Sequence, residues 1–235
     1  MTIISRYRLE LHDSLYFATR ELGRLYETEP IIHNYALCYA LGLVDSDRYN
    51  TRVENEAEYR YFCATQIPLY EAHLTRLNEA GIYVTPARSI TYAATLNTWK
   101  YANNNYHVEM QKTQKNIPSF GRTKEIAVES EFEFFLISQQ QLNLPRWIRL
   151  GKWASKAEIS KIEDYSNPQR RSGSFTFSYP LNPLDVMFSY RVMSYDTINM
   201  PPVSLIRNVS LSGEYYQLPN KQSLKIPANL SYCFS

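Results

Sequence analysis

Four histidines, His12, His33, His73 and His107, are the imidazoles available for acid–base or metal chemistry. None belongs to a His-Glu-x-x-His or other close ligand pair, so the sequence offers no zinc hydrolase centre. Glu129, Glu131 and Glu133 recur at every second position, which on a strand places three carboxylates on one face, spaced about 6.6 Å apart. That row reads as a solvated face opposite Lys or Arg rather than an ion site. Gly151-Lys152 is not a phosphate loop: the earlier glycine would fall at Arg146, and Trp153 replaces Ser or Thr. No Gly-x-Gly-x-x-Gly or Gly-x-Ser-x-Gly occurs among only seven glycines. No metal or cofactor is therefore expected. A metal-free ribonuclease needs a His or Lys beside a 2′-hydroxyl. For that alternative His107, near Tyr106 and Lys112, is the first candidate and His33 the second.

Binding chemistry is better represented. Arg146-Trp-Ile-Arg-Leu-Gly-Lys-Trp-Ala-Ser-Lys156 places cations at Arg146, Arg149, Lys152 and Lys156 around two indoles, Trp147 and Trp153, with Gly151 at a turn. Ser155-Lys-Ala-Glu158 has the pattern of a capping box, so a helix is expected to start there. Its N-terminal N–H groups and dipole would point back at the turn and could hold a phosphate while an indole stacks a base. The plainer reading makes Trp147 and Ile148 core residues, with the cations snorkelling from a strand edge.

Composition sets the frame for that turn. The 235 residues carry a net charge of only +2, unevenly spread: residues 1–98 hold 9 basic and 12 acidic side chains, the remainder 16 and 11. The surplus lies in Lys100–Lys124, five basic against one acidic, and in Arg146–Arg171, seven against three. Local positive charge is what a phosphate-binding surface needs. Twenty tyrosines suit stacking as well as ordinary strands. Cys38, Cys63 and Cys233 are odd in number and widely separated, which argues against a disulfide framework and for a reducing cytoplasm. No run approaches the roughly 18 apolar residues of a membrane helix. Residues 1–8 lack the apolar segment of a signal peptide.

The elements that must position these groups follow from periodicity. Ile3–Leu11 alternates as an amphipathic strand. Residues 12–29 form a loop or short hairpin punctuated by Gly23. A helix is expected over Ile31–Leu43, apolar nearly all round, with Thr28 or Glu29 as its cap. A polar excursion follows over 45–66. A second helix spans Leu69–Ala80 with Gly81 just beyond it, then a strand over Ile82–Val84. Lys100–Lys124 reads as a protruding hairpin. Val128–Ile137 alternates, with Phe132, Phe134 and Leu136 inward and the three glutamates on a wet face. Pro145–Ala154 is a strand and turn. Short β-like runs, 174–179, 186–193, 209–217 and 231–234, close the chain. The pattern is α+β, helices segregated against an antiparallel sheet.

Leu11-His-Asp-Ser-Leu-Tyr16, Arg20-Glu-Leu-Gly-Arg-Leu-Tyr26, His33-Asn-Tyr-Ala-Leu-Cys-Tyr-Ala-Leu41 and Arg149-Leu-Gly-Lys-Trp153 together resemble the small backbone subunit of type I-D CRISPR Cascade, a "Cas five" type member of the RAMP superfamily. The resemblance implies a modified ferredoxin-like, RNA-recognition-motif-like core in one RAMP-type domain. That core would cover roughly 1–98 and 125–140, with an inserted β thumb near 99–124 and a β-rich part over 145–235. It implies a non-catalytic subunit in antiviral defence that grips the crRNA 5′ handle and caps the filament. Its expected neighbours are a Cas-seven-type backbone subunit, the Cas-ten-like large subunit, and target double-stranded DNA near the PAM. On this mapping Lys100, Lys112, Lys115, Arg122 and Lys124 would contact phosphates from the thumb. Tyr16, Arg20, Arg24, His33 and Asn34 would line the handle-binding surface beside the sheet, together with Arg146, Arg149, Lys152, Trp153 and Lys156 of the turn.

Overall fold

The computed structural model describes residues 1–44, 68–100, 120–218 and 224–234. Strand β1 (Ile3–Leu11) is the hub. It pairs antiparallel on one side with β9 (Glu131–Ser138) and on the other with β11 (Ser155–Ser166). β10 (Trp147–Leu150) extends the sheet beyond β11. On the other flank, β5 (Tyr83–Val84) and β6 (Ala87–Thr91) both pair with β9, and β4 (Ile31–Ile32) pairs with β6. The resulting seven-stranded sheet contains the antiparallel 4-1-3-2 order of a ferredoxin-like unit as β11, β1, β9 and then β5/β6. The helices α1 (Asn34–Ala40) and α2 (Tyr70–Glu79) fill the first connection of that unit. Its second connection, between β9 and β11, carries no helix: residues 139–146 are irregular and lead into β10.

One face of the sheet buries Tyr7, Leu9, Leu11, Phe132, Phe134 and Leu136 against Tyr35, Leu37 and Leu74 of the helices. The inward phenylalanines of β9 were legible in the sequence. The expected wet face was not. Its Phe135 joins Ile4 and Tyr165 in a second core under the sheet formed by β12 (Gln169–Phe177), β13 (Arg191–Ile198), β14 (Leu205–Gln217) and β15 (Lys225–Pro227). Glu133 lies beneath that cover, 2% exposed, and Tyr179 and Arg6 bind it. Burial alone would raise the Glu133 carboxyl, but these two hydrogen bonds and the Arg6 charge outweigh it and hold it below the usual range. Glu131 stays at the open end, paired with Arg8 at 3.4 Å, whereas Glu129 is outside the strand at a turn, with φ +63°. The three carboxylates thus have three environments and form no metal cluster.

Four local expectations are corrected. The helix at the start of the apolar 31–43 run begins later, because Ile31–Ile32 is taken by the sheet and the His33 side chain caps Tyr35 N. The 231–234 run is irregular, with Tyr232 inserted between helices and sheet, while Pro183–Met187 is a short helix, α3, that overlaps the start of the 186–193 run read as β. Most consequentially, Ser155 starts a twelve-residue strand and not a helix. Ser155, Ala157 and Ile159 are buried at period two against the partner strand, and this long antiparallel pairing outweighs a four-residue capping pattern. A register shift opposite Arg6/Tyr7 then turns Tyr165 to the other core. The 45–66 excursion lies outside the described residues. No helix among the described residues is long and apolar enough to cross a membrane.

Candidate nucleic-acid interface

The expected phosphate site at a helix N-terminus does not form, because no helix follows the Gly151 turn. Three backbone donors of the turn are also committed: Lys152 N–H donates to Tyr16 O at 2.9 Å, Ala154 N–H to Gly151 O, and Lys156 N–H to Asp13 Oδ2 at 2.9 Å. What the turn offers outward is side chains. Gly151 is required by its φ of +72° and by closeness, since a Cβ there would sit 2.6 Å from Tyr16 O.

The four cations divide by partner. Arg146 binds Glu158 through Nε at 2.8 Å and holds that carboxyl below its usual range. Arg149 reaches Ala154 O at 3.1 Å and Asp13 at 3.6 Å. Lys156 Nζ lies 3.9 Å from the Trp147 ring centre, with His12 edge-on to the same indole. Lys152 has no ion-pair partner among the described residues. Beside it Trp153 is 51% exposed and rests on Tyr16, ring centres 4.7 Å apart. Tyr16 is itself buried, so it serves as the support of a platform whose outer ring is Trp153. The open part of the turn is therefore Lys152–Trp153, whereas Trp147 is already covered by cations.

A second basic group assembles on a four-stranded sheet. β2 (Arg20–Leu22) and β3 (Leu25–Glu27) form a hairpin at Gly23, as the sequence implied. β3 runs parallel to β8 (Phe120–Ile126), which pairs with β7 (Ala94–Lys100). This β7–β8 pair is the base of the expected thumb hairpin. Its residues 101–119, with Lys112, Lys115 and His107, lie outside the described residues, as does the Lys100 side chain. Arg122 and Lys124 are exposed on β8, and Arg122 N–H donates to Arg24 O. The positive charge here is partly offset. Arg20 binds Glu27 at 2.9 Å and Glu29 at 2.6 Å, and Lys124 lies 3.4 Å from Glu27.

Residues 12–19 join the two basic groups. Leu15 exchanges two backbone hydrogen bonds with Ile126 at the end of β8, and the next residue, Tyr16, holds Lys152. His12 and Asp13 belong to the same bridge, and their role could have been suspected only from their position between β1 and Tyr16. His33 and Asn34 stand apart. His33 is 3% exposed, its Nδ1 accepting from Tyr35 N–H and its Nε2 donating to Val203 O. Burial pushes its imidazole down to about 4, so it is neutral and both nitrogens are occupied. Asn34 is fully buried and donates to Asp185. Neither side chain reaches the surface that was expected of them.

No curated protein matches the chain in sequence. Among solved structures, a chain of the Type III-B Cmr-beta complex bound to cognate target RNA and AMPPnP (state 1) aligns with a TM-score of 0.45 and 9% identity, over 88% of this chain and 86% of that one. A chain of the Type III-B Cmr-beta complex bound to cognate target RNA aligns with a TM-score of 0.41 and 14% identity, over 69% and 60%. The sequence profile of the Type I-D CRISPR-associated protein Cas5/Csc1 family matches residues 2–235. A ferredoxin-like sheet with an inserted hairpin and an appended β layer, matched from end to end by that profile, places the chain in the Cas5/Csc1 family, as a non-catalytic RAMP-type subunit of a CRISPR effector complex that binds RNA.

Proposed function

We propose that this chain grips the 5′ handle of the crRNA across the Lys152–Trp153 platform and the base of the thumb, and so caps one end of the filament. The observation that supports this reading is the bridge of residues 12–19, which ties the Gly151 turn to the β3–β8 pair by direct backbone bonds. Arg24 of β3, Arg122 and Lys124 of β8, and Lys152 of the turn then belong to one framework. Cations locate the sugar–phosphate chain, and an exposed indole stacks a base without reading its identity. The contact set is Lys152 and Trp153 first, then Arg24, Arg122 and Lys124, with Lys100, Lys112 and Lys115 supplied by the thumb. Arg20, Arg146, Arg149 and Lys156 act mainly through the pairs that shape the surface. His33 and Asn34 are internal supports.

In this reading the chain is one RAMP-type domain working in the cytoplasm. It touches a Cas-seven-type backbone subunit and the Cas-ten-like large subunit near the point where target duplex enters, and takes part in reading the PAM there. The test is RNA binding by the full chain as a function of salt. Each phosphate contact contributes about 0.7 to the slope of log affinity against log salt for a single strand. Lys152→Ala is expected to weaken binding and flatten that slope. Salt-independent binding that survives the substitution overturns the reading.

A further inference from the structure

Next to Lys152 a pocket of about 210 Å³ opens between the 12–19 bridge, α1, α2 and the loop before β14, lined by Phe17, Ala36, Tyr70, Met200 and Pro202, with Lys152 at its rim. That volume falls below the roughly 300–1,000 Å³ of sites for drug-sized ligands and suits one ring system. The wall is mostly apolar, and its polar groups are largely committed. Thr19 Oγ1 donates to Glu27 O and accepts from Glu29 N–H, and both His33 nitrogens are bonded. The Tyr70 hydroxyl, which has no hydrogen bond among the described residues, can either donate or accept and so selects no particular base edge. A small apolar slot, an ammonium at its mouth with no ion-pair partner among the described residues, and an exposed indole next door form a combination that takes a flat ring with a phosphate attached.

We propose that this pocket receives one unstacked nucleobase of the bound RNA, whose neighbouring phosphate lies on Lys152 and whose adjacent base stacks on Trp153. The proposal rests on the RNA-binding reading of the turn and adds a seat for a single base. Because the wall offers shape and ring faces rather than a hydrogen-bonding edge, the pocket tolerates any base and rejects an abasic position.

The test uses the wild-type full chain and short single-stranded RNAs carrying 4-thiouridine at one position at a time, crosslinked and mapped by mass spectrometry. One position is expected to crosslink to the peptides of Phe17 or Tyr70. An abasic nucleotide at that position lowers affinity between about 5- and 150-fold, the range for one lost base–aromatic stack, while swapping one base for another leaves it nearly unchanged. Ala36→Leu, which fills the slot, lowers affinity by a similar factor. If that variant does not fold, the wild-type crosslinks and the abasic series still decide. Absence of pocket crosslinks while Lys152→Ala still flattens the salt slope overturns the pocket and leaves the turn intact. Salt-independent RNA binding overturns both. An Ala36→Leu chain that keeps full RNA affinity but no longer assembles with its protein neighbours assigns the slot to a protein side chain and overturns the base.

Discussion

The Gly151 turn and the start of α1 both set polar, nitrogen-bearing side chains beside aromatics, yet the fold uses them in opposite ways. At the turn Lys152 has no ion-pair partner among the described residues, and Trp153 is half exposed. At α1, His33 and Asn34 are buried and bonded to Val203 and to Asp185, whose side chain also accepts from Tyr83 and Cys233. The turn keeps its binding capacity because its backbone, not its outward side chains, carries the structural bonds. At α1 the side chains carry them, and burial closes His33 and Asn34 off from any ligand in solution.

That contrast can be broken by substitution. The largest effect is expected from Asn34→Ala, which deprives the buried Asp185 of a donor and leaves a void. It should cost about 2–4 kcal/mol of stability, read as a drop in thermal midpoint, with the salt slope of RNA binding unchanged. An altered slope would return Asn34 to the interface. Gly151→Ala forces a Cβ to within 2.6 Å of Tyr16 O at a left-handed φ. A loss of about 2 kcal/mol or more is expected, accompanied here by weaker RNA binding, because the platform itself shifts. Lys152→Ala should stay within about 0.5 kcal/mol of wild type in stability while reducing RNA affinity. A large fall in its midpoint would show that Lys152 is structural after all.

The effect most specific to α1 is nearly cancelled in the native protein, and it appears only on titration. Burial raises Asp185 from 3.8 to about 7 and lowers His33 from 6.5 to about 4. For Asp185 the folded chain holds the proton more tightly than the unfolded one, so acidifying from about 7 to about 4 adds stability. For His33 the folded chain resists the proton, so acidifying over nearly the same window removes stability. In the native protein the two slopes oppose each other. Asp185→Asn should expose the His33 slope, with the midpoint falling from pH 7 to 4. His33→Asn, which preserves a capping acceptor, should expose the Asp185 slope, with the midpoint rising. Parallel pH profiles for the two variants would show that the groups do not act separately.

Much of the frame was legible in the sequence. Period-two alternation marked β1 and β9, and Gly81 marked the end of α2. What stayed hidden depended on partners distant in the chain. Nothing near Glu133 announces that Tyr179 will cover it, nor does anything near Arg146 and Arg149 tell that Glu158 and Asp13 will pair with them. The capping pattern at Ser155 misled because four local residues said helix while nine register pairs with β1, formed by a segment 150 residues earlier, said strand. The Tyr16 support, the bridge and the pocket are likewise made of residues without a local signature.

The central place of β1 also sets a timetable. Both of its edges are filled by strands that emerge more than 120 residues later, and at roughly 5–20 residues per second the nascent strand waits on the order of 10–30 s with both sides unpaired. An alternating apolar segment with two open edges is a template for the wrong neighbour. The crowded interval of synthesis, more than any weakness of the finished fold, is thus where this chain most needs shelter.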